Sequence, residues 1–93
     1  MSVRVPLANG EFADPVLVVG VRFERTQSVM DDAHRSADAG AGTVFVDAVN
    51  SIGAFEVPAG SRVAVGGKPL FVRSVHRCED LFVRVHHWEL EVG

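Results

Sequence analysis

Four side chains near the end of the chain are chemically able to hold a transition metal: His76, Cys78, His86 and His87. A cysteine two residues from a histidine is also the minimal pair of a thiol nucleophile. The order, His-x-Cys and then His-His after seven intervening residues, matches no zinc pattern with a geometric rationale. With Glu79-Asp80 as a two-residue turn, His76 opposes Val83 and His86 opposes Arg73. The imidazoles then stand about three residues apart along the ladder, roughly 10 Å. Adjacent His86 and His87 also point to opposite faces of a regular strand. Bringing His76 opposite His86 requires a wider loop that contains Leu81 and Phe82. No oxyanion-hole motif or orienting carboxylate accompanies Cys78, so an enzyme is not expected. Asp31-Asp32 lacks the glycine-containing spacing of a calcium loop. Gly66-Gly67-Lys68 lacks the rest of a phosphate loop, and a hairpin explains its glycines. Arg62, Lys68, Arg73, Arg77 and Arg84 read as outward charges that offset acids. The expectation is no metal and no cofactor, with a zinc-stabilised small β binding module as the alternative.

Period two dominates the elements that must position these residues. Val3, Val5 and Leu7 alternate in a short strand that Pro6 confines to an edge, and Asn9-Gly10 is a turn signal. Pro15 to Thr26 reads as one long strand, buried on both faces at its start, with Gly20 as a bend. Thr43 to Val49 is a further strand, and Asn50 to Gly53 a turn. Val57-Pro58-Ala59-Gly60 suits a type I turn. Ser61–Val65 and Lys68–Arg77 flank Gly66-Gly67 as a hairpin, and Leu81–Val92 is the closing strand. About six mostly antiparallel strands with short turns predict an all-β, small single-domain barrel or sandwich spanning residues 1–93.

One segment breaks the pattern. Gln27 to Gly42 is rich in Ala, Asp, Ser and Gly. Ser28 can cap a short helix to Ala37, with Asp31 and Asp32 in its first turn, and an irregular loop is the equal alternative. Loops this long in compact domains are usually functional or disordered. Met30, Asp31, Asp32, His34, Arg35 and Asp38 are its candidate contact residues.

Composition excludes several classes. The 93 residues are 47 % hydrophobic and 23 % charged, which is globular rather than disordered. A chain this short buries little surface for its length, and oligomerisation is a common remedy. Net charge is −3, which disfavours binding nucleic acid by charge. One cysteine cannot make an intramolecular disulfide. The apolar run Pro15–Val21 is far short of the ~20 residues that span a bilayer, so a soluble protein made in the cytoplasm is expected. Phe23, Phe45, Phe71, Phe82 and Trp88 are spread along the chain as expected core or interface anchors.

Thr43-Val-Phe-Val-Asp-Ala-Val49, then Val57 to Val75, then Val85-His-His-Trp-Glu-Leu-Glu-Val-Gly93 resembles a family of small phage proteins. These are the minor capsid or head–tail connector proteins of long-tailed bacteriophages. The resemblance spans roughly residues 15 to 92 and rests on short motifs, chiefly His87-Trp88-Glu89-Leu90. The turn before the valine-rich strand departs from the family's Gly-Asp and reads Gly60-Ser61. The resemblance implies a head-completion or stopper protein of the virion neck. Such proteins form a homo-oligomeric ring of about six or twelve copies. The portal or adaptor lies above, and the tail terminator or tail tube below. DNA passes without sequence-specific binding, and no membrane is involved. The acidic segment 27–42 would then line the channel or contact a neighbouring ring, where it repels phosphate.

The closing strand has a phase problem. Val83 and Val85 face one way, whereas Trp88, Leu90 and Val92 face the other. Either Phe82 joins Trp88, Leu90 and Val92 on one face with Arg84 as the exception, or an extra residue near the histidines makes a β-bulge. A bulge would aim Trp88–Val92 at a partner, such as the open strand edge of a neighbouring subunit.

Overall fold

The computed structural model describes residues 1–25, 41–82 and 84–93. Every regular element among them is a strand. The strands are β1 (Ser2–Arg4), β2 (Val16–Leu17), β3 (Arg22–Arg25), β4 (Gly42–Asp47), β5 (Arg62–Val65), β6 (Lys68–Glu79) and β7 (Val85–Val92). They form one antiparallel sheet in the order β2-β1-β5-β6-β7-β4-β3, curled into a half-barrel. The chain is thus all-β, as expected, with seven strands among the described residues where about six were expected.

The inner face is built mainly of valine. Val3, Val18, Val44, Val46, Val57, Val63, Val72, Leu90 and Val92 are buried, with Leu70 and Trp88 beside them. β-Branched side chains suit this pleated, crowded surface. Alternation decides which residues enter it. Val44 and Val46 point inward, so Phe45 between them points outward.

The Gly66-Gly67 hairpin forms as expected. Both glycines have positive φ, and Val65 pairs with Lys68. β6 then runs on for twelve residues and serves both halves of the sheet. Its start pairs with β5, and from Val72 onward it pairs with β7. Its register slips between Val72 and Ser74, so Arg73 is the extra residue. Such a bulge bends the strand and raises its twist, which lets one strand turn the corner of a half-barrel.

Four expectations need correction. Pro15–Thr26 is not one strand. β2 pairs with β1 at one end of the sheet, and β3 pairs with β4 at the other. Gly20, at φ 82°, breaks the run between them. Its start is not buried on both faces either: Val16, Leu17 and Val19 are exposed, and only Val18 is enclosed. The turn expected at Val57–Gly60 sits one residue later, where Ser61 N–H donates to the Pro58 carbonyl and Gly60 has φ 89°. That positive angle at its third residue is type II geometry. Leu81, Phe82 and Arg84 are not strand. Asp80 closes a wider loop by accepting the backbone N–H of Phe82 and of Arg84 on Oδ1. Finally, Trp88–Val92 seeks no outside strand, because β7 is paired on both sides by β6 and β4. The expected segment 27–42 lies outside the described residues up to Gly40, and its last residue, Gly42, opens β4.

Candidate functional site

The outward face of β4, β7 and β6 carries the polar chemistry. Alternation places Thr43, Phe45 and Asp47 of β4 beside Glu91, Glu89 and His87 of β7. On the other side of β7, Ser74, His76 and Cys78 of β6 stand opposite the same three β7 residues. The wider Asp80–Arg84 loop sets this register. It replaces the expected pairing of His76 with Val83 by that of His76 with Glu89.

The decisive local feature is the second bulge. Cys78 pairs with His87 and Glu79 with Val85, which leaves His86 as an extra residue. Val85 therefore packs against the core although it is out of phase with Trp88, Leu90 and Val92. Of the two explanations for the phase change, the bulge is correct.

Across this face, Glu89 Oε2 is a hub. It accepts the Cys78 thiol at 3.3 Å and lies 3.1 Å from His87 Nε2. His87 Nδ1 in turn lies 2.9 Å from His86 Nδ1. His87 and the Cys78 thiol hold the Glu89 carboxyl below its ordinary range. Burial, and then the hydrogen bond to Glu89, push the Cys78 thiol up. A thiol held protonated is a poor nucleophile. Beside the hub, the Arg22 guanidinium lies over the Phe45 ring at 4.4 Å.

A second constellation lies on the inner side. Trp88 Nε1 donates to Glu56 Oε1 at 3.0 Å, and Arg77 Nε donates to the same oxygen at 2.6 Å. Arg77, and then Trp88, lower the Glu56 carboxyl. The indole body is 8 % exposed and its polar end is satisfied.

Of the four expected alternative ligands, Cys78 and His87 meet across the ladder. His86 is set off by the bulge, and His76 faces Glu89. Neither Glu89 nor Glu56 is among the candidate site residues expected from the sequence. Glu89 had a signal, since it stands two residues from His87 on the same strand face. Glu56 sits in irregular backbone and had none. Among the expected anchors, Trp88 is in the core and Phe23 packs against it. Phe45 lies on the polar face, and Phe71 and Phe82 are exposed, so these three are not core anchors. Met30, Asp31, Asp32, His34, Arg35 and Asp38 lie outside the described residues.

The profile of the minor capsid protein family matches residues 8–92, nearly the whole chain. The chain belongs to the minor capsid protein family. It is thus a structural component of a phage virion. No curated protein and no solved structure matches it. For a minor capsid protein, the surfaces offered to neighbours matter most. Two apolar ones stand out. Val19 and Ile52 exchange backbone hydrogen bonds, Leu17 stands two residues before Val19, and Leu17 and Ile52 are 66 % and 71 % exposed. At the far end of the long hairpin, Leu81 and Phe82 are 98 % and 76 % exposed.

Proposed function

We propose that this protein completes the phage head as a stopper ring at the neck, between portal or adaptor and tail, closing the DNA exit and docking the tail. The observation that carries the reading is the exposed apolar surface on a small barrel of the minor capsid family. Scattered single apolar residues are ordinary on a protein surface, but contiguous ones rimmed by polar groups mark contact sites. Leu17, Val19 and Ile52 on one flank and Leu81-Phe82 on the hairpin tip suit contacts with other subunits of a ring or with the rings above and below. A cyclic ring of about six or twelve copies uses such unlike patches head-to-tail.

Segment 27–42 supplies the channel contact in this reading. It connects β3 to β4, and its base is held by the pairing of Arg25 with Gly42. Asp31, Asp32 and Asp38 against Arg35 make it acidic, which disfavours adhesion of DNA phosphate. Deleting Met30 to Ala41 is expected to leave the barrel folded, by circular dichroism and thermal melting. Phage complemented with that variant are expected to leak DNA from their heads or to lack tails. Full infectivity of the deletion sinks the channel role.

A further inference from the structure

We infer that Cys78, His87 and Glu89 form a zinc-class metal site that clips β6 to β7 on the outward face. The inference is independent of the neck role. One ligand atom from each residue, namely Cys78 Sγ, a His87 ring nitrogen and a Glu89 carboxylate oxygen, lies within 4.8 Å of the others. Around a tetrahedral zinc, ordinary bond lengths set neighbouring N, O and S ligands about 3.3–3.6 Å apart. The His87–Glu89 and Cys78–Glu89 separations are 3.1 and 3.3 Å. The third pair, Cys78 and His87, lies within 4.8 Å, and side-chain rotation that draws these two together completes the cradle. Mixed thiolate, imidazole and carboxylate donors suit zinc and cobalt better than calcium or magnesium, which take oxygen. Three protein ligands leave a fourth position toward solvent.

The surroundings fit a ligand role for His87. With Nε2 on the metal, Nδ1 carries the proton and donates it to His86 Nδ1, 2.9 Å away. Orienting partners of this kind fix the tautomer of metal-bound histidines. His86 stands there because it is the extra residue of the bulge. His76, the ladder partner of Glu89, falls outside the cluster.

The test is cobalt(II) titration of the reduced, chelator-stripped full chain, followed by absorption. The expected result is one cobalt per chain, with a thiolate-to-cobalt charge-transfer band and the intense visible bands of four-coordination. Zinc should displace the cobalt, and bound metal should protect Cys78 from alkylation and raise the thermal midpoint. Cys78→Ser should remove the charge-transfer band. His87→Ala and Glu89→Gln should weaken binding by more than the roughly 10–100-fold that loss of an outer-shell partner costs, and His86→Ala by about that amount. Trp88 emission and far-UV dichroism check that each variant is folded. Absence of the thiolate band in the unsubstituted protein overturns the site, as does alkylation of Cys78 at the same rate with metal present. Half a cobalt per chain, meaning an ion shared between two copies, also overturns it.

Discussion

Trp88 places its ring among the buried valines while its N–H reaches Glu56, the same oxygen that takes the Arg77 Nε–H. Truncating it leaves a large void between β4 and β6. Trp88→Ala is expected to cost about 3–5 kcal/mol in urea unfolding. A near-neutral result would mean that the ring does not anchor the core. Glu56 makes a pH prediction with a definite sign. Arg77 first and Trp88 second lower its carboxyl in the folded chain. Its stabilisation is therefore complete above the unfolded carboxylate range and is lost as pH falls through the lower folded value. Asp47, lowered by the backbone N–H groups of Asn50 and Val49, acts in the same direction. The unfolding midpoint should drop on acidification, and Glu56→Gln should show a shallower drop. Parallel curves for the two proteins would remove Glu56 from the account. Trp88 could be identified from the sequence as an anchor, since an isolated tryptophan in an alternating strand carries a large apolar area. Its partner Glu56 could not, because irregular backbone has no period to read.

The strands divide according to how local their cause is. The Gly66-Gly67 hairpin was legible because two adjacent positive φ angles specify the turn without help from the rest of the chain. The Asp80–Arg84 loop was not. Leu81 and Phe82 have strand-like side chains, yet Asp80 Oδ1 captures the backbone N–H groups that would have entered the ladder. That capture resets the hairpin register, and the one-residue bulge at His86 then brings Cys78 opposite His87. Pro15–Thr26 was misread for a different reason: period two persists across Gly20 although the chain changes sheet edge there. At the mouth of the β3–β4 hairpin, backbone geometry sets a stricter demand. A Cβ on Gly42 would run into the Glu24 carbonyl oxygen and the Phe23 ring. Gly42→Ala is expected to destabilise the chain by about 1–3 kcal/mol, as overpacking does. The check is the thermal midpoint, and an unchanged midpoint would show that the β3 edge yields freely.

At the scale of the whole molecule, the half-barrel encloses a valine core yet leaves Leu17, Ile52, Leu81 and Phe82 in solvent. Surface changes away from packed features usually alter stability by no more than about 0.5 kcal/mol. Leu17→Asp and Ile52→Asp should therefore leave the isolated chain folded. The proposed ring predicts that both variants fail to enter phage particles, as read by protein content of purified virions. Normal incorporation of both would assign that flank to open surface. Leu81→Asp with Phe82→Asp makes the matching test of the hairpin tip. If the tip meets the tail side, heads should fill with DNA but remain tailless.

Alternation, turn residues and composition determined by themselves that this chain is a small β protein, that Trp88 anchors its core, and that its closing strand changes phase near two histidines. These are local properties, encoded in side-chain period and in the backbone freedom of glycine. The resemblance of its strand order to phage minor capsid proteins was also readable there, and the family match over residues 8–92 bears it out. Only the tertiary structure decided which strands pair, that the bulge falls on His86, and that Cys78, His87 and Glu89 converge. Pairing register depends on hydrogen bonds between residues distant in sequence, and a shift of one residue turns every side chain to the opposite face. The grouping of the histidines and the cysteine was therefore set by the captured turn at Asp80 together with the bulge at His86, and both depend on contacts across the ladder.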